Sequence, residues 1–180
     1  MRRAAALALA LLAAAAPGCA TLAMLRPLPR ACPGALLAVE AMGPDFALRA
    51  RYRVRSRGRE EALTLVAEKR EGRLVLVGLD PFGTSVFALV QEGREVRRER
   101  HLRPLFPFPP ENALRDLLRV RFPEQPPAGA GDDGALVTPR GGGFEISRAS
   151  CDWQAILVPE LGSGLRLDQH HVRAAAGIRP

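Results

Sequence analysis

Residues 46–55 have the sequence FALRARYRVR, in which apolar and basic residues alternate. Apolar and basic side chains take turns along the segment, which is the period of a β-strand with one buried face and one face toward water. Because burying several unpaired cations would be prohibitive, the apolar face must look inward. We therefore expect four arginines to line the outer face of a sheet: Arg49, Arg51, Arg53 and Arg55.

Four more strands follow this segment at short intervals. We predict them at residues 61–68, 74–79, 84–91 and 95–102, separated by turns that contain glycine or proline. Strands joined by such short loops pair as an antiparallel meander, because a parallel crossover needs a much longer connection.

The period changes to that of a helix after the prolines at residues 104–110. Leu114, Leu117, Leu118 and Arg121 follow the i, i+3, i+4, i+7 spacing of one helical face. The last two prolines of the cluster suit the first turn of this helix. We therefore predict one short helix inserted after the fifth strand.

The remainder of the chain contains weaker strand patterns, predicted at residues 135–138, 143–147, 153–158 and 165–172. A sheet with one apolar face must cover that face, and one short helix is a small cover. The sheet should therefore curl around its apolar side. The predicted fold is mainly β (α+β), a curled and unclosed antiparallel half-barrel with a helical lid and an apolar concavity.

The first residues have the composition of an export signal. A basic start is followed by an unbroken run of Ala and Leu at residues 4–16, and a proline and a glycine end the run. The run is shorter than the roughly 20 apolar residues that span a bilayer. We therefore predict that residues 1–18 are a signal peptide and that the mature protein works outside the cytoplasm.

Cys19 lies where a bacterial lipoprotein is cleaved and acylated, and residues 16–19 resemble a lipobox. An Asp after the lipidated cysteine commonly signals inner-membrane retention, and Ala20 stands there instead. We therefore predict a lipid anchor on the periplasmic face of the outer membrane. The alternative is ordinary signal cleavage near Ala15 or Ala20, which gives a soluble exported protein.

The domain organisation follows from the signal and from the strand patterns. We predict a signal peptide at 1–18, a lipid-anchored tether at 19–34, a single domain at 35–173 and a flexible tail at 174–180.

If Cys19 carries lipid, Cys32 and Cys151 remain as a pair in an oxidising compartment. We predict a disulfide between them. The alternative is two buried free thiols.

No catalytic or metal-binding pattern stands out along the chain. Gly162-Ser163-Gly164 lacks the spacing of a nucleophile elbow. The adjacent His170 and His171 would point to opposite faces of a strand, which is poor geometry for chelating one metal. We therefore predict no enzyme activity, no metal site and no cofactor.

The chain has a formal net charge of +7 at pH 7. A basic exported protein can meet anionic lipid head groups. Nucleic acid is not an expected partner, because the compartment is wrong and no basic motif is interleaved with aromatic residues.

Residues 73–89, with the sequence RLVLVGLDPFGTSVFAL, resemble the strand–Pro-x-Gly–strand hairpin of the LolA/LolB-like lipoprotein carriers. They also resemble a group of uncharacterised proteobacterial lipoproteins of that fold, and the similarity covers roughly residues 45–122. The resemblance implies an unclosed barrel over a hydrophobic cavity that holds acyl chains. It also implies that an exposed apolar loop residue delivers lipid or touches the membrane, and Phe82 most resembles that residue. In the alternative, Phe82 folds back as a plug over the end of the sheet.

The functional expectation is an outer-membrane-anchored periplasmic lipoprotein that binds or transfers an acyl chain, a lipid or an acylated protein. Its partners would be this ligand and the membrane. The alternative is a structural or assembly lipoprotein with a packed core that acts through its surface. The predicted ligand-binding cavity is lined by apolar side chains of the strands and the helix: Phe46, Leu48, Tyr52, Val54, Leu63, Leu65, Leu74, Leu76 and Leu117.

Overall fold

The computed structural model describes residues 30–102, 105–123 and 134–160. These residues form eight strands and one α-helix, with short 3₁₀ turns at Val39–Met42 and Ala149–Cys151. The elements in chain order are β1 (Phe46–Ser56), β2 (Arg59–Arg70), β3 (Arg73–Leu79), β4 (Ser85–Glu92), β5 (Glu95–His101), α1 (Pro110–Arg121), β6 (Ala135–Arg140), β7 (Gly143–Arg148) and β8 (Trp153–Pro159).

All eight strands belong to one antiparallel sheet in the order β5-β4-β3-β2-β1-β8-β7-β6. Two meanders, β1 to β5 and β6 to β8, join where β1 pairs with β8. The sheet is not closed, since β5 and β6 are its two edges. These observations confirm the predicted fold class, a mainly β, unclosed antiparallel sheet with a helical lid.

The strand boundaries differ from the predicted ones at several ends. β2 is longer than expected because Arg57 and Gly58, with φ of 51° and 73°, make a tight turn directly into it. β6 continues through Pro139 to Arg140. Proline is tolerated there because β6 is an edge strand, where a missing N–H donor leaves no partner unsatisfied. The predicted strand at 165–172 lies outside the described residues, as do the signal peptide and Cys19.

The core lies on the inner side of the sheet, between the strands and two covering segments. One cover is α1, which buries Leu114, Leu117 and Leu118 as its spacing predicted. The other is the chain before β1, which buries Leu37 and Val39 and was not expected to act as a cover. Both covers contribute to one continuous apolar cluster with the strands.

Hydrogen bonds to backbone groups of the segment before β1 attach it to the sheet. The amide of Val39 donates to the carbonyl of Gly93 at 2.9 Å, and the side-chain amide of Gln91 donates to the carbonyl of Leu37 at 2.6 Å. Lys69, the single lysine of the chain, is buried and donates to the carbonyl of Gly43 at 2.8 Å. The segment is therefore part of the folded unit.

Cys32 and Cys151 form a disulfide, which confirms the predicted pairing. The bridge connects the segment before β1 to the short turn before β8 across 119 residues of sequence. The backbone amide of Cys32 also donates to Oδ1 of Asn112 in α1 at 2.9 Å. Cys32 is buried, so the packed unit begins upstream of the predicted boundary at residue 35.

Candidate functional site

Eight of the nine residues predicted to line a lipid cavity lie on the inner face of the sheet, and the ninth, Leu117, lies on α1, which covers that face. They pack there with the two covering segments in the main apolar cluster. Phe46 and Leu48 are partly buried at one end of β1, and the Arg121 guanidinium lies 5.7 Å from the centre of the Phe46 ring. Lipid binding by this set stays a prediction. Seven of the nine are buried: Tyr52, Val54, Leu63, Leu65, Leu74, Leu76 and Leu117.

A buried polar cluster lies within this inner side, centred on Asp116 of α1. Its Oδ2 accepts hydrogen bonds from the Tyr52 hydroxyl at 2.7 Å and from the Trp153 indole N–H at 2.8 Å. Its Oδ1 accepts a hydrogen bond from Nη1 of Arg148. The four residues come from α1, β1, β7 and β8, so one carboxylate connects the helix to the middle of the sheet.

Burial dominates the electrostatics of this cluster. It raises the pKa of Asp116, against the opposing influence of the Arg148 cation and the donated hydrogen bonds. Burial, and then the neighbouring charge of Asp116, raise the pKa of Tyr52 well above its ordinary value. The side chains of Asp116 and Arg148 have no solvent exposure, so the pair can position elements but cannot reach a dissolved ligand.

Sequence reasoning missed this cluster. It placed Trp153 in the core or at its rim, and the structure buries it there. The available signal was that Asn112 and Asp116 are polar residues at i, i+4 spacing in a helix whose apolar face is crowded. Nothing in the sequence shows that Arg148 lies beside Asp116.

The β3–β4 turn presents Phe82 to solvent. Oδ1 of Asp80 accepts hydrogen bonds from the backbone amides of Phe82 at 2.9 Å and of Thr84 at 2.8 Å. Gly83 has a φ of 82°, a backbone conformation that favours glycine. The Phe82 side chain is 94% exposed, so the plug alternative is wrong. Its role in lipid delivery or membrane contact stays a prediction.

The outer face of β1 carries the arginines as predicted. Two of them have acidic neighbours: Arg49 lies 3.5 Å from Glu160 and Arg53 lies 3.6 Å from Glu60. Arg51 stands between them and has no acidic partner among the residues that the structure describes.

A groove of about 430 Å³ lies around Arg51, and we call it the outer groove. Its position follows from the strand register. Arg51 is opposite Thr64 of β2 and Val158 of β8, and Arg53 is opposite Ala62 and Ile156. Residues directly opposite each other share a face, so the two arginines are flanked on both sides by small or apolar side chains. Pro81, next to Phe82, also lines the outer groove.

Two further findings concern the described part of the chain only. None of its helices is long and apolar enough to cross a membrane. Within the same ranges, no group of three or more His, Cys, Asp or Glu side chains is placed to hold a metal ion. His170 and His171 lie outside these ranges.

The described residues form an open antiparallel sheet, which a helix and the segment before β1 cover on its inner face and which carries arginines on its outer face. A family model described as a protein of unknown function, DUF3261, matches residues 47–172. The chain therefore belongs to this family. No curated protein matches it.

Proposed function

We propose that this protein is an exported lipoprotein, anchored through Cys19 on the periplasmic face of the outer membrane, that binds or transfers an acyl chain, a lipid or an acylated protein. The observation that carries the proposal is the 94% exposure of Phe82 on a hydrogen-bonded turn. Its apolar ring is held in water where a membrane or an acyl chain can reach it.

The energetics of the turn support this proposal. Removing a phenylalanine side chain from water is favourable by roughly 1.5–3 kcal/mol, which is available to a partner because the fold does not use it. The two hydrogen bonds to Asp80 fix the turn before any partner arrives, so little ordering is left for binding. The cationic outer face adds attraction to anionic lipid surfaces.

The inner side of the sheet is less accessible to lipid. An acyl chain could enter it only if α1 or the segment before β1 moved away. The Asp116 cluster opposes movement of the helix, and the disulfide opposes movement of the segment. Lipid would therefore first contact the surface of the protein. The nine residues predicted to line the cavity would meet an acyl chain only after one of the two covering segments had moved.

One observation favours the alternative of a structural or assembly lipoprotein. The inner-face residues form one cluster with both covering segments, which is the packing of a filled interior. Mass spectrometry of the protein purified from membranes separates the two functions. Co-purified lipid beyond the anchor supports a carrier, and the anchor alone supports an assembly role.

Vesicle binding tests the role of Phe82. We expect Phe82→Glu to weaken association with anionic vesicles about tenfold, because it replaces a buried contact of at least about 1.4 kcal/mol with a repelled carboxylate. Leu136→Glu is the matched control, since Leu136 is also exposed (65%) but lies on the edge strand β6. Equal losses for the two variants, or none for either, would remove the residue-level support for the proposal.

The anchor has its own test. We expect Cys19→Ser to abolish acylation and to release the protein from the membrane fraction. A wild-type protein without lipid would refute the anchor and leave an exported soluble protein.

A further inference from the structure

We infer that the outer groove is a binding site for a single-chain anionic amphiphile, a long-chain carboxylate whose head group meets Arg51 and whose chain lies on the apolar floor. This site is on the opposite face of the sheet from the cavity that the sequence predicts. It does not depend on the lipid anchor or on the membrane contact at Phe82.

Arg51 occupies an electrostatically unfavourable position on the outer face of β1. Same-face neighbours along a strand are about 7 Å apart, so Arg51 lies between the positive charges of Arg49 and Arg53. Each of those has a glutamate within 4.0 Å, whereas no acidic side chain of the described residues reaches Arg51. Three adjacent cations repel one another, and a bound anion would offset the charge of the one that has no acidic partner within the described ranges.

The neighbouring strands place no charged residue directly opposite Arg51. An acidic residue directly opposite such a cation on the neighbouring strand would form a stabilising cross-strand pair. Arg51 instead faces Thr64 on one side and Val158 on the other, and the next pair along the groove is Ala62 and Ile156. The result is a cationic centre on an apolar floor, which matches a ligand with one charge and a hydrocarbon chain.

The volume of the outer groove and the charge of Arg51 favour a ligand with one chain and one negative charge. The groove volume of about 430 Å³ is toward the lower end of the roughly 300–1,000 Å³ usual for small-molecule sites, which favours one chain over two. One guanidinium without an acidic partner among the described residues matches one carboxylate, and the planar fork of arginine suits bidentate recognition of that group. Arg53 can contribute a second donor, since its contact with Glu60 is long and exposed.

Binding of laurate tests the site, with dodecanol as a neutral ligand of the same chain length. The protein used is the full chain carrying Cys19→Ser, so that no attached acyl group competes for the groove. We expect laurate to bind and dodecanol to bind at least about tenfold more weakly, equivalent to about 1.4 kcal/mol.

Two variants examine the two halves of the groove. Arg51→Gln removes the head-group cation, and Ala62→Glu places a carboxylate opposite Arg53. We expect each to weaken laurate binding about tenfold. Arg55→Gln is the matched control, because Arg55 is an exposed arginine on the same face of β1 that does not line the groove. It should bind laurate like the parent chain.

Three results would overturn the inference. They are equal losses for Arg51→Gln and Arg55→Gln, equal binding of laurate and dodecanol, and binding to anionic vesicles without binding of monomeric laurate. The last result would make the cationic face a membrane-contact surface. If Phe82→Glu left vesicle binding unchanged, the membrane contact at Phe82 would be refuted and the carboxylate site in the outer groove would not be affected.

Discussion

The two faces of β1 differ in whether their charged groups have partners. On the inner face, the Tyr52 hydroxyl and two other donors surround the carboxylate of Asp116, and the whole cluster is buried. On the outer face, the adjacent Arg51 has no acidic partner among the described residues. One strand therefore stabilises the fold with one face and offers a charged binding surface with the other.

The largest expected effect is at the inner face. Arg148→Met leaves the carboxylate of Asp116 buried without its cation, and removing one member of a buried pair costs about 3–5 kcal/mol. Urea unfolding measures the loss. Arg140→Met is the control, because Arg140 forms an exposed pair with Glu145 at 2.6 Å that should contribute less than about 1 kcal/mol.

The stability lost in Arg148→Met should depend on pH. Burial already raises the pKa of Asp116, and losing the cation raises it further. When the pKa of a carboxyl is higher in the folded than in the unfolded chain, the group's contribution to folding stability is fully present below the unfolded pKa of 3.8. That contribution is lost as pH rises through the folded pKa. The deficit of Arg148→Met should therefore shrink on acidification. A deficit that grows at low pH would contradict an unpaired buried carboxylate.

The disulfide should give the next largest effect. Replacing Cys32 and Cys151 by Ser should cost about 2–4 kcal/mol, because the bridge constrains a long loop of the unfolded chain. The unfolding midpoint of the double variant, compared with that of the oxidised parent, measures this loss. An unchanged midpoint would mean that the segment before β1 is held by packing alone.

A smaller effect is expected at Tyr52. Tyr52→Phe should cost about 1.5 kcal/mol at neutral pH, since a hydrogen bond to a charged group is lost. Because the folded pKa lies well above the ordinary 10.0, stability should also fall as pH rises above 10, and the variant should lack this loss. Tyr52 is the single tyrosine, so its ultraviolet absorbance reports ionisation directly. Ionisation at pH 10 before unfolding would show that the hydroxyl is accessible.

The smallest effect on stability is expected at the outer face. Arg51→Gln should change the free energy of unfolding by no more than about 0.5 kcal/mol, and in the stabilising direction, because it relieves repulsion from Arg49 and Arg53. Thermal or urea unfolding at low salt gives the sharpest reading. A clear destabilisation would show that Arg51 serves the fold, and the contrast between the two faces would fail.

The sequence was sufficient for the parts of the fold that depend on local pattern. Alternation in residues 46–55 predicted both the strand and the outward direction of its arginines. Tight turns predicted the meander, and the expectation that an exported chain meets an oxidising compartment predicted the bridge between Cys32 and Cys151. Asp80-Pro81-Phe82-Gly83 predicted a tight turn, but its sequence alone left Phe82 equally able to project or to fold back.

The parts that could not be predicted depend on contacts between distant segments. The outer groove exists because β8 pairs with β1 in a register that sets Val158 beside Arg51. The Asp116 cluster needs Tyr52 and Arg148 to meet at the helix. The expected concavity rested on counting α1 as the cover, whereas the segment before β1 covers the inner face as well.

Photolabelling with a diazirine-bearing fatty acid tests most directly whether lipid meets the outer surface of this sheet and not its packed interior. Labelled residues of the full chain carrying Cys19→Ser would be located by mass spectrometry. We predict labels on Phe82 and on the floor of the outer groove, at Ile156 and Val158. Labels confined to inner-face side chains such as Leu65 and Leu76 would contradict this and would place the acyl chain beneath the helix.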